Sequence, residues 1–113
     1  MMRTRKVNTI LLPLESFLYL QEKGYNERCG KYRTEKQIDR LKRNFESFAY
    51  NGYKRLCDGD LGGCVGNYKN AYEERRWTSW SCEDMKRFLN EANLPYKEGK
   101  ETEIIEVSLW EIL

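Results

Sequence analysis

Residues 57–66, Cys-Asp-Gly-Asp-Leu-Gly-Gly-Cys-Val-Gly, hold half of the chain's eight glycines, threaded by two thiols and two carboxylates. Three chemistries use such a mixture: a metal loop, a redox pair and a phosphate cradle. Asp58, Asp60 and Gly63 fit the first, third and sixth positions of a helix–loop–helix calcium site, but its twelfth position is then Lys69, where a bidentate glutamate is required. A phosphate loop needs a closing Gly-Lys-Ser/Thr, which is missing, and Asp58 and Asp60 oppose an anion unless magnesium bridges them. Zinc would have to use Cys29, Cys57, Cys64 and Cys82, which are the only candidate metal ligands of that type. They lack the tight pair through which one knuckle turn aims two thiolates at the metal. A Cys57–Cys64 disulfide is within reach of a glycine loop but disfavoured in a reducing compartment. The preferred reading is a turn between helices, with thiols buried as small hydrophobes and no cofactor bound.

The chain contains no histidine. That removes Ser–His and Cys–His nucleophile pairs, histidine general bases and mixed Cys/His metal sites. Catalysis is therefore not expected, and a metal-dependent enzyme built on Asp58 and Asp60 ranks last among the readings.

A second stretch, Trp77-Thr78-Ser79-Trp80-Ser81-Cys82, resembles the Trp-Ser-x-Trp-Ser box of cytokine receptors and the opening of thrombospondin type 1 repeats, over these six residues alone. The first resemblance implies an all-β sandwich, whereas the flanking patterns are helical. The second implies a following cysteine-rich stretch, which is missing, so neither family is assigned. One reading packs both tryptophans on the core while Ser81 caps a helix. The other exposes one of them as a binding anchor, since Trp, Tyr and Arg dominate interface hot spots. Trp77, Trp80, Tyr32, Tyr50, Tyr53, Arg75 and Arg76 are the partner-binding candidates.

The third feature is basic. Lys36, Arg40 and Arg43 recur at i, i+4 and i+7 opposite an apolar stripe, with Lys54 and Arg55 beyond the helix end and Tyr32, Tyr50 and Tyr53 interleaved. Cations among aromatic rings suit a nucleic-acid backbone and its bases. Glu35, Asp39 and Glu46 dilute the stripe, and no nucleic-acid module is spelled out.

Hydrophobic periodicity supplies the elements that must position these groups. Arg5 to Leu12 reads as a strand, residues 13–23 as a helix opened by Pro13 and stopped by Gly24. Thr34 and Gln37 form a capping box, and Ile38, Leu41, Phe45, Phe48 and Ala49 make one apolar stripe, ended by Asn51-Gly52. A weaker helix covers residues 66–77. Ser81 opens another, with Met85, Phe88, Leu89 and Ala92 inward, closed by Pro95. Gly99 turns the chain into a C-terminal strand, Glu103 to Ile112. The expected fold is α+β: about four helices packed on a small sheet or hairpin formed by the N- and C-terminal strands.

Length and composition set the outer bounds. The chain of 113 residues is one domain, residues 1–113, with 40% hydrophobic and 34% charged residues. Its net charge of +2 divides unevenly: two lysines against six glutamates after residue 87 give −4, leaving +6 before it. The amino-terminal apolar run is broken by Asn8, Thr9, Pro13 and Glu15, so neither a signal peptide nor a membrane span is expected, and a cytoplasmic location is.

A small binding or inhibitory protein is the first expectation, docking on a protein or protein–nucleic-acid complex. In its compact, motif-free style the chain resembles accessory proteins of phages and other mobile elements, anti-CRISPR inhibitors among them, although no family motif is matched at any residue. That likeness implies an anti-defence viral protein in a host cytoplasm. Direct nucleic-acid binding by the basic helix is the alternative, and an open strand edge offers a route to a homodimer.

Overall fold

A computed structural model describes residues 3–58 and 80–106. In chain order these form β1 (Arg3–Val7), β2 (Thr9–Leu12), α1 (Leu14–Cys29), α2 (Glu35–Phe48), β3 (Lys54–Cys57), α3 (Cys82–Glu91), β4 (Lys97–Glu98) and β5 (Thr102–Glu106). The class is α+β, with three helices and small antiparallel sheets among the described residues. The helix expected over residues 66–77, the glycines at 59–66 and the strand beyond Glu106 lie outside them.

The terminal strands do pair. β1 runs antiparallel to β5, and β2 lies between β3 and β4. What reads as one strand from Arg5 to Leu12 is interrupted at Asn8, and the register explains why. From Val7↔Thr102 to Ile10↔Glu98, three steps along the amino-terminal strand match four along the carboxy-terminal one. One extra residue on that side makes a bulge, which bends a single long ribbon into two sheets. Gly99 N–H donates to the Thr9 carbonyl at 3.1 Å, and the Thr9 hydroxyl donates to the Lys100 carbonyl at 2.6 Å.

Helix α1 passes through Gly24, which was expected to stop it, and ends at Gly30 instead. Gly30 adopts φ 70° and donates to the Asn26 carbonyl, a left-handed C-cap that a glycine takes without strain. Helix α2 carries the expected capping box: Gln37 N–H donates to Thr34 Oγ1, and Thr34 N–H to Gln37 Oε1. Beyond it, Asn51 and Gly52 have φ of 52° and 77°. Tyr50 and Tyr53 exchange backbone hydrogen bonds of 2.7 and 2.9 Å across them, a two-residue turn of type I′ that launches β3.

Ile10, Leu12 and Leu56 from the sheet meet Phe17 and Leu20 of α1, Leu41 and Phe45 of α2, and Cys82, Met85 and Leu89 of α3, with Trp80 closing the cluster. The helices therefore cover one face of the β3–β2–β4 sheet. No helix among the described residues is long and apolar enough to cross a membrane.

Candidate functional surface

Strand pairing decides which side chains stand together. Directly paired residues in an antiparallel sheet project to the same face, and so do residues two apart along a strand. Leu56, Ile10 and Leu12 face the helices, and so do their neighbours Lys54 and Glu98. Lys54 Nζ sits 5.4 Å from the Phe17 ring centre and 5.2 Å from that of Phe48, and Glu98 reaches Lys86 Nζ at 2.7 Å. The opposite, outer face takes the alternate positions. Leu11 pairs with Arg55 on one side and Lys97 on the other, Tyr53 lies two residues before Arg55, and Tyr50 pairs with Tyr53. Arg55 and Lys97 are exposed, and Tyr50 is 80% exposed. Lys97 Nζ lies 4.3 Å over the Tyr53 ring, a cation–π contact that leaves the ammonium at the surface.

Among the described residues paired across this sheet, no carboxylate shares the outer face, because Glu98 projects to the other side. Phe48, the last residue of α2, stands apart from this face, beside helix-side Lys54. Its place in the apolar stripe predicts burial, yet it is 71% exposed, since the core ends one turn before the helix does. Tyr50, Tyr53, Leu11, Arg55 and Lys97 thus form a surface of rings and cations on the outer face of the sheet.

Helix α2 carries a second basic stripe, on its side turned away from the sheet. At 100° per residue, Lys36, Arg40 and Arg43 fall within a sector of about 60°, flanked on one side by Glu35, Asp39 and Glu46. All six are exposed, and the three cations make no ion pair among the described residues. Tyr32, 76% exposed, stands before this helix while Tyr50 follows it, so about 20 Å of helix separates them.

Other candidates fall elsewhere. Trp80 is only 6% exposed and meets Phe88 edge-on at 4.7 Å, with Lys23 and Arg87 over the same Phe88 ring at 4.7 and 5.0 Å. It is a core residue, so the exposed-anchor reading fails for Trp80. Trp77, Arg75, Arg76 and Cys64 lie outside the described residues. Arg33, which flanks the basic helix in sequence, is 9% exposed and stacks 4.4 Å over Tyr25, with its backbone N–H held by Glu22 Oε1.

The cysteines are dispersed by environment. Cys29 is exposed at the end of α1, Cys57 is half-buried in β3, and Cys82 is buried in the first turn of α3. The Cys82 thiol donates to the Asn8 carbonyl at 3.2 Å. Burial, with the neighbouring Asp58 charge second, pushes this thiol from 9.0 up to about 11, so it stays protonated and unreactive. Asp58 accepts from Cys82 N–H at 2.6 Å and Ser81 Oγ from Asp84 N–H at 3.1 Å, together satisfying the start of α3. That occupies the Asp58 carboxylate structurally. No group of three or more Cys, Asp or Glu side chains among the described residues is placed to hold a metal ion.

Lys97 and Leu11 belong to this surface without having been singled out in the sequence. Asn51-Gly52 was the signal: read as a hairpin turn rather than a helix stop, it predicts a strand in which Tyr53 and Arg55 share a face. Comparison with protein-family models, curated proteins and solved structures finds no match.

Proposed function

We propose that this chain is a non-catalytic binding protein that docks on a larger macromolecule through the outer face of the β3–β2–β4 sheet. One observation carries the reading: Tyr50, Tyr53, Arg55, Leu11 and Lys97 share a sheet face with no carboxylate among them. Large rings and cations left at a surface add nothing to the core of this fold. They are the residue types that dominate recognition. An accessory or inhibitory role follows from such docking, because occupying a partner's surface requires no chemistry of its own. The test is affinity capture from lysate of the source organism, with wild-type protein compared with a Tyr50→Ala/Arg55→Ala double variant. The reading expects a partner enriched by wild type and lost by the variant. Equal capture by both would move the docking surface elsewhere.

A further inference from the structure

We infer that the outer sheet face binds single-stranded nucleic acid, with a base stacked on Tyr50 and the phosphate backbone following Arg55 and Lys97. This rests on the docking surface proposed above and names its occupant. Charge is the first argument. Arg55 and Lys97 flank Leu11 two strand spacings apart, about 10 Å, and both are exposed. The nearest sheet glutamate, Glu98, is bound to Lys86 on the helix side, so among the described residues paired across this sheet no carboxylate offsets the cations of the outer face.

Ring geometry is the second argument. Tyr50 is 80% exposed, so its ring stands open rather than lying within a cleft. A protein anchor gains most in a pocket that excludes water on all sides. A nucleobase needs only one free ring face, and stacking tolerates any sequence. Tyr53 plays a different part, because Lys97 covers its ring. It holds that ammonium at the surface where a phosphate would pass. Unstacked bases are required, so a duplex, whose bases face inward, would engage the cations alone.

The experiment is fluorescence anisotropy with labelled 12-nucleotide oligo-dT and oligo-U, a duplex of the same length, a polyglutamate peptide, and vesicles containing anionic lipid. Expected is binding of the single strands in preference to the other three. Affinity should fall with salt at a logarithmic slope of about −0.7 per phosphate contacted. Tyr50→Ala should weaken binding about 5- to 140-fold, the range of one lost base stack, while Tyr50→Phe retains it. Arg55→Ala and Lys97→Ala should each make the salt slope shallower. No single-strand binding, equal duplex binding, stronger binding of polyglutamate or vesicles, or an unaltered Tyr50→Ala would overturn the inference. Should the oligonucleotides fail while Tyr50→Ala/Arg55→Ala still loses a nuclease-resistant protein in affinity capture, the docking surface stands and only its occupant is wrong. Loss of neither would sink both. Tyr50 lies outside the core, so these variants remain folded, which their melting curves verify.

Discussion

Thr9 and Gly99 approach so closely that no side chain fits between them. A Cβ on Gly99 would overlap Thr9 Oγ1 and lie 2.9 Å from both the carbonyl carbon and oxygen of Thr9. The contact sits at the bulge where the long ribbon bends, and the Gly99 N–H bond to Thr9 closes it. Gly99→Ala should therefore destabilise the fold by about 1–3 kcal/mol, the cost of forced overpacking. Thr9→Ala in the same chain should recover only part, because two of the clashing atoms are backbone. Urea denaturation of the single and double variants measures this, and an unperturbed Gly99→Ala would show that the bulge has room.

The start of α3 depends on two side chains of different origin. Asp58, from the end of β3, and Ser81, the N-cap itself, accept from successive parts of the first turn. Ser81→Ala should cost about 1 kcal/mol. Asp58→Ala should cost about 1–3 kcal/mol, since it leaves the Cys82 N–H without its charged partner. Chemical denaturation checks both values.

Alkaline pH should weaken the fold through Cys82. Its folded value of about 11 lies above the ordinary 9.0, so the native state holds a proton that the unfolded chain releases between those limits. Stability is complete below pH 9 and declines as pH rises toward 11. Lys86, raised chiefly by its hydrogen bond to Glu98, adds a loss that begins only above 10.5. Cys82→Ala should flatten the slope between pH 9 and 10.5 in thermal melts. Alkylation at neutral pH should modify exposed Cys29 rapidly and spare Cys82, as mass spectrometry of the labelled chain would show.

Trp80 and Tyr50 should behave as opposites. Trp80→Ala removes a core ring packed on Phe88 and should cost about 3–5 kcal/mol. Tyr50→Ala removes an exposed ring and should alter stability by less than about 0.5 kcal/mol. Paired thermal melts decide the point. A stable Trp80→Ala protein would return Trp80 to the surface.

Local signals made some of these elements legible and left others hidden. The capping box at Thr34 and Gln37 and the N-cap at Ser81 are complete within four residues, so sequence alone identifies them. Gly24 misleads because an interior glycine costs only about 1 kcal/mol, which packing around α1 overrides, whereas Gly30 has the backbone angle that ends a helix. β4 is two residues long and exists by pairing with β2, a relation between positions far apart in the chain. For the same reason Lys97 reads as part of an acidic tail until the sheet brings it beside Tyr53. Phe48 obeys the helical stripe but outruns the core it was expected to join.

The most direct test of a docking role is the fraction of partner captured by Tyr50→Ala/Arg55→Ala relative to wild type, with matched melting temperatures confirmed for the two proteins. A surface that exists for binding predicts loss of most of the captured partner with no change in melting temperature. Undiminished capture by a folded double variant would contradict it.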